Sequence, residues 1–262
     1  MAGEIHIPTL APEVVTQIGN INITNTMINA WLAIIIFLIL GIAVKRSVKL
    51  RPGKLQNTCE FFLESVLGYF DQVTGSRKKT IKFLPVVGSI FFFVLLSNWL
   101  GLLPGTGSIT NGHTMVLRPA NTDLNLTVAM ALVSVIASHI YAFAAVGIFT
   151  HLGKFVQIKN LILSFKKGPI AVFSAVIEFG VGLIEIVSEI AKVLSLSLRL
   201  FGNVFAGEVL ISVISALIAA FVPTPFMLLE LLVGLIQAAV FAMLTIVYMT
   251  VASSAPHGAE EH

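Results

Sequence analysis

The 262 residues are 56% hydrophobic and only 11% charged, with a formal net charge of +3, whereas a soluble domain carries roughly a quarter charged residues. No stretch is polar enough for a separate soluble fold, so residues 1–262 read as a single integral membrane domain in contact with lipid. The basic residues lie beside apolar segments and are not interleaved with aromatics on a polar surface, which argues against nucleic acid as a partner.

Residues 1–26 carry two acids and no Lys or Arg, so they resemble neither a signal peptide nor a transit peptide, and the first apolar segment is expected to stay in the mature protein. They read as an outer N-terminal segment before a first span at 27–47. Residues 53–76 differ. Leu55, Cys59, Phe62, Val66, Phe70 and Val73 recur every three or four positions, with Gln56, Asn57, Glu60, Glu64 and Asp71 between them. That pattern makes an amphipathic helix too polar to span, lying on the membrane surface or packed on a soluble partner. Spans follow at 83–103 and 123–150, each long enough to cross a hydrocarbon layer of about 30 Å.

From 169 to 221 the chain is apolar for 53 residues, and from 225 to 254 for another 30, with Pro223 and Pro225 as the break. A helix of the first length would be on the order of 80 Å long, so it must tilt, break or leave the bilayer. The pair is expected to form a long tilted hairpin turning at 222–225. The fold class is therefore an all-α membrane protein with about five transmembrane crossings, one interfacial amphipathic helix and a long C-terminal helical hairpin.

Cys59 is the only cysteine, which excludes an intramolecular disulfide, and the six histidines (His6, His113, His139, His151, His257, His262) include no i, i+4 pair for a helical zinc site. No metal and no cofactor is assigned. Thirteen of the 16 basic residues fall in two regions. Lys45, Arg46, Lys49, Arg51, Lys54, Arg77, Lys78, Lys79 and Lys82 separate the first two spans, and Lys154, Lys159, Lys166 and Lys167 follow the third. Short basic loops stay inside, which puts the N-terminus and the hairpin turn outside and the C-terminus inside. In the outer region only Arg118 is basic.

Lys192 and Arg199 remain, both within the 53-residue apolar stretch. A charge at the bilayer centre costs at least about 2.5 to 3.5 kcal/mol, so an intramembrane arginine is a functional candidate. Snorkelling to the headgroups suits Lys192 better than Arg199. Glu178, Glu185, Lys192 and Arg199 are spaced by seven, with Glu189, Ser195, Gly202, Asn203 and Ala206 near the same stripe, so one face lines something wet or protein-covered. Glu189 and Lys192 read equally well as an internal pair holding helices together. Glu208 lies about half a turn round from Arg199 and roughly 13 Å further along. On the second helix Glu230, Gln237 and Tyr248 mark a polar side. An antiparallel hairpin would bring Glu208 and Glu230 to similar depth and Gln237 near the level of Arg199. Two half-channels separated by a guanidinium that never deprotonates would stop a cation from leaking straight through.

Residues 195–210, SLSLRLFGNVFAGEVL, closely resemble the arginine-bearing helix of F-type ATP synthase subunit a. LIQAAVFAMLTIVY at 235–248 resembles the family's final helix, and SNWLGLLP at 97–104 and RPANTDLNL at 118–126 resemble earlier segments, so the resemblance covers about 25–248. It implies that Arg199 faces the carboxylates of a rotating c-subunit ring, which carry ions, protons in the first reading, between the half-channels and so couple ion flow to ATP synthesis. It also implies b subunits of a peripheral stalk and the remaining ATP synthase subunits as partners, and a multi-pass location in an energy-coupling membrane such as the bacterial inner membrane. By offset from the arginine, Glu208 and Glu230 match positions of the outer half-channel, where the two acids would share a proton. Gln237 matches the position supporting the arginine. Glu185, Lys192, Ser195 and Asn203 match polar positions of the inner side and ring interface, with Glu178 and Tyr248 along the same path. Glu189 matches no family position.

The chain has no phosphate-cradling GxxxxGK[ST] loop, so nucleotide chemistry would reside elsewhere and the chain would not itself be an enzyme. A secondary transporter would be expected to carry an inverted repeat, absent from the hydropathy. An intramembrane enzyme would need a nucleophile and base or a motif such as HExxH, and neither is found.

Overall fold

The computed structural model describes residues 9–49, 53–103, 110–111, 114–155, 169–217 and 222–254. Within them seven helices follow one another: α1 (Asn25–Ser47), α2 (Lys54–Thr74), α3 (Arg77–Gly101), α4 (Leu124–Val146), α5 (Ile148–Phe155), α6 (Pro169–Leu217) and α7 (Pro223–Ser253). Five of these, α1, α3, α4, α6 and α7, are long and apolar enough to cross a membrane. His6, Arg51, His113, Lys159, Lys166, Lys167, His257 and His262, singled out above, lie outside the described residues, as do 218–221 at the end of the first hairpin arm.

The core lies where α7 packs between α3 and α4, with α6 against α4. Phe91 and Val94 of α3, Ala131 of α4, Leu196 and Leu200 of α6, and Phe241, Ile246 and Met249 of α7 are all buried there. Lipid tails are as apolar as leucine, so such packing draws on close approach and interhelical hydrogen bonds more than on exclusion of water. The contacts fit that rule. Ala238 and Ala242 of α7 are fully buried, and a Cβ on Gly234 would stand 3.1 Å from that of Asn98. Asn98 Nδ2 donates to the Gly234 carbonyl at 3.2 Å and its Oδ1 accepts from Asn121 at 2.7 Å. Ser134 and Thr245 share a hydroxyl hydrogen bond of 2.9 Å between α4 and α7. By contrast Ile34, Ile35, Leu38 and Ile39 of α1 are exposed, as a lipid-facing side requires.

The amphipathic segment is one helix, α2. Phe70 enters the core and Val66 and Val73 pack against it, while Phe61 and Tyr69 stay exposed. Gly75 closes α2 in the left-handed region, φ 65°, with its N–H on the Asp71 carbonyl at 2.9 Å, a conformation glycine adopts without a Cβ penalty. The α2–α3 corner is pinned by Arg77 Nη1 on Asp71 Oδ2 at 2.8 Å. Hydrogen bonding by Thr80 and the Arg77 guanidinium holds the Asp71 carboxyl below the ordinary carboxylate range.

Three features depart from the sequence reading. The second span, expected at 83–103, begins six residues earlier, as α3 starts at Arg77 and ends at Gly101. The third span stops at Val146 and does not run to 150, because Gly147 turns the chain at φ 93°, ψ 150° and α5 starts anew. Ahead of α1, residues Val14–Ile18 (β1) and Ile21–Thr24 (β2) pair antiparallel as a small hairpin. A second two-residue pair, Thr110–Asn111 (β3) and Thr114–Met115 (β4), lies near it, with β4 against β1. Short β-branched runs around Gly19, at φ 63°, explain the first hairpin.

Candidate functional site

The 49-residue helix α6 is unbroken, so its seven-residue spacings translate directly into one stripe. Along it Ser195, Arg199, Gly202, Asn203 and Ala206 are exposed, whereas Leu196, Leu200 and Val204 face the core. Arg199 Nη2 donates to Ser195 Oγ at 3.4 Å, and among the described residues no carboxylate pairs with the guanidinium. A permanent cation is thus held on an apolar helix, well away from either end, with small neighbours and no counter-ion among the described residues.

Gln237, buried on α7, accepts at Oε1 from Asn203 Nδ2 at 2.8 Å. It therefore reaches the arginine stripe through Asn203 and not by a direct bond to Arg199. Further along α6, Lys192 Nζ donates to Glu189 Oε1 at 2.6 Å and stands 5.2 Å above the Tyr248 ring of α7. Glu189 and Lys192 do pair, but within α6, three positions apart, and not as a bond between two helices. Glu185 is partly exposed, and Glu178, nearer the helix start, is exposed.

Nine residues beyond Arg199 the helix presents its opposite side, and Glu208 meets a partner absent from the sequence reading. Arg118 grips it with Nε on Oε1 at 2.9 Å and Nη2 on Oε2 at 2.9 Å. The remaining guanidinium donors go to the main chain of the N-terminal segment, Nη2 to the Thr9 carbonyl at 2.8 Å and Nη1 to the Ala11 carbonyl at 3.3 Å. Arg118 is 4% exposed and Glu208 13%, so this is a buried bidentate pair of the geometrically specific kind. A small cavity of about 20 Å³ adjoins it, room for about one water, lined among others by Thr9, Glu13, Asn25, Arg118, Glu208 and Ser212.

Glu230 packs against α6 at Gly207, the residue before Glu208, so tightly that a Cβ there would run into its carboxylate. The two acids expected to share a proton thus take different surroundings: Glu208 is clamped by Arg118, and Glu230 is seated on a glycine. Gly207→Ala is expected to push Glu230 aside and slow ion translocation severalfold in the assembled complex, measured as ATP-driven ion uptake into vesicles. Glu230→Asp in the same chain, one methylene shorter, should recover part of the loss. An unimpaired Gly207→Ala would show that the close approach is immaterial.

Arg118 and Gly207 were missed. The arginine carried a signal, being the one basic residue of the outer region, but its acid lies 90 residues away. Gly207 carried none, since a helical glycine gains meaning only from what crosses it.

The family model for the ATP synthase A chain matches residues 27–250. Among curated relatives, the ATP synthase subunit a of Mycobacterium ulcerans is 35% identical over 87% of this chain and 86% of its own length. That of Gloeobacter violaceus is 33% identical over 89% and 85%. That of Moorella thermoacetica is 29% identical over 91% and 94%.

Proposed function

The chain belongs to the F-type ATP synthase subunit a family, multi-pass integral proteins of the synthase membrane sector, and from that premise we propose that it is the stationary half of a rotary ion translocator. The other ATP synthase subunits are its partners. In this reading the exposed face Ser195–Arg199–Gly202–Asn203–Ala206 of α6 meets a ring of c subunits, and b subunits of the stalk hold the chain still. The complex sits in an energy-coupling membrane of the bacterial inner-membrane type, N-terminus outside and C-terminus inside, with α2 on the surface. Nucleotide chemistry belongs to other subunits, and this chain only hands ions on.

One observation carries the reading: Arg199 is charged, exposed on a membrane-spanning helix, and pairs with no acid among the described residues. A guanidinium in lipid is costly, and its cheapest counter-charge is a carboxylate brought by another protein. When a ring carboxylate arrives protonated, Arg199 favours its anionic form and the proton departs toward the inner side. Once the anion moves on, it meets Glu230 and Glu208, which reload it from the outer side through the cavity beside Arg118. Lipid between these points admits only the neutral acid, so net ion flow requires turning. Gln237 supports the site by fixing Asn203. One charge crossing 100 mV releases about 2.3 kcal/mol, so several crossings must be summed for each ATP, which a ring does.

The interface is tested by replacing the single cysteine, Cys59, with serine and placing a cysteine at Gly202. Oxidation is expected to join it to a cysteine set one turn from the ring carboxylate and to halt rotation-linked ATP hydrolysis. Failure to join at any ring position near that carboxylate would place the ring elsewhere.

A further inference from the structure

The turn at Gly147 has a chemical result. It folds α5 back on α4 so that His139 and His151, twelve positions apart, lie with Nδ1 of the first 3.0 Å from Nε2 of the second. The other nitrogen of His139, Nε2, is 3.5 Å from Glu189 Oε2, and Glu189 Oε1 holds Lys192 at 2.6 Å. Phe143 covers the imidazoles, its ring 5.2 Å from that of His151, and His151 is 3% exposed. Three helices thus bring a line of titratable groups together, leading from α5 to the stripe that carries Lys192, Ser195 and Arg199, with one step, His139 to Glu189, still open in the hydrogen-bonding sense.

Both nitrogens of His139 face groups that exchange protons. A neutral imidazole bears a proton on one nitrogen and a lone pair on the other, so a ring so placed accepts at one side while releasing at the other. We propose that Glu189, His139 and His151 form a proton-conducting file on the inner side of Arg199, an inference that rests on the translocation reading above. A proton leaving the rotor binds the Glu189 carboxylate. The resulting O–H passes to His139 Nε2 as His139 Nδ1–H passes to His151 Nε2, and His151 Nδ1, buried where it stands, gives up its proton when inner water reaches it. Each transfer breaks one O–H or N–H bond and forms another, and the file ends with the charge it began with. Exchange of both ring tautomers resets it. The 3.5 Å gap at Glu189 lies at the edge of hydrogen bonding and closes with a small side-chain rotation. Among the described residues, the titratable and charged groups beside His139 include His151 of α5 and Glu189 of α6, which in turn holds Lys192. Tyr248 of α7 lies under Lys192, and Lys82 of α3 stands over Tyr141 two positions on. A gap of 3.0 Å between nitrogens holds a hydrogen and nothing larger, so the file passes protons and rejects Na⁺.

The test uses the whole ATP synthase in inverted vesicles, where the inner face meets the bulk buffer. His139→Gln keeps a polar side chain but cannot relay, and it is expected to lower ATP-driven proton uptake about tenfold. Imidazole added to the bulk buffer should restore much of the rate. His151→Gln should behave alike, and it decides the matter if the first variant does not assemble. Unchanged uptake in an assembled variant would overturn the file, as would a loss that imidazole leaves untouched, the mark of a merely structural pair. Arg199→Ala separates the two layers. Coupled uptake persisting in that variant would sink the translocation reading itself, whereas its loss there, with the histidine variants unaffected, would sink only the file.

Discussion

Arg199→Ala is expected to eliminate coupled ATP synthesis and ATP-driven pumping, by at least about a hundredfold, while leaving the complex assembled. The side chain is exposed, makes one long contact within its own chain at 3.4 Å, and packs into no core, so its removal deprives the fold of little. In the proposed mechanism, what disappears is the fixed charge that draws the anion out of a ring carboxylate and blocks direct passage between the two sides. Electrostatic groups acting in low dielectric on a developing charge contribute roughly 2.7 to 4 kcal/mol each, or about two to three decades in rate. Arg199→Lys keeps a charge but loses the planar, multi-donor fork, and it should recover only a small part of the activity. Synthesis rates in reconstituted vesicles check both variants, and normal coupled synthesis with alanine would reject the mechanism.

Arg118→Ala is expected to do harm of a different kind. It strips Glu208 of a bidentate partner in a site where the arginine is 4% exposed, and it frees the Thr9 and Ala11 carbonyls at once. Removing one member of a buried pair destabilises by about 3 to 5 kcal/mol because the survivor's charge is left alone. Here both stability and ion entry should suffer, read as a lowered melting temperature of the purified complex and slowed pumping. Combining it with Glu208→Gln should restore thermal stability in part, since no orphaned charge remains, but not transport. If the double variant loses as much stability as the two single losses added together, the pair is not coupled.

Much of this arrangement was legible in the sequence because a membrane makes charges conspicuous. Arg199 and Lys192 stood out as the basic residues inside a 53-residue apolar run, and an unbroken α6 preserved the spacing of the stripe. Spans were readable for the same reason, as hydrophobic length maps onto crossing helices. The partnerships were not. Arg118 with Glu208, His139 with Glu189 and Gly207 with Glu230 each join different elements, and no periodicity within one element encodes what another brings to it. The motif at 97–104 and that at 118–126 were recognisable as words, yet their shared role emerged only when Asn98, Asn121 and the Gly234 carbonyl proved to be one hydrogen-bonded chain. The end of the third span was misjudged because nothing about Gly147 in an apolar stretch reveals whether a glycine continues a helix or turns it.

The clamp on the Thr9 and Ala11 carbonyls has a bearing on biogenesis. These two residues are made before the guanidinium that fastens them, which is 107 positions behind Ala11. At about 5 to 20 residues per second, their carbonyls wait on the order of 5 to 20 s for that anchor, served by water meanwhile. The clamp therefore cannot close until the stretch before α4 has been made, however early the groups it fastens appear.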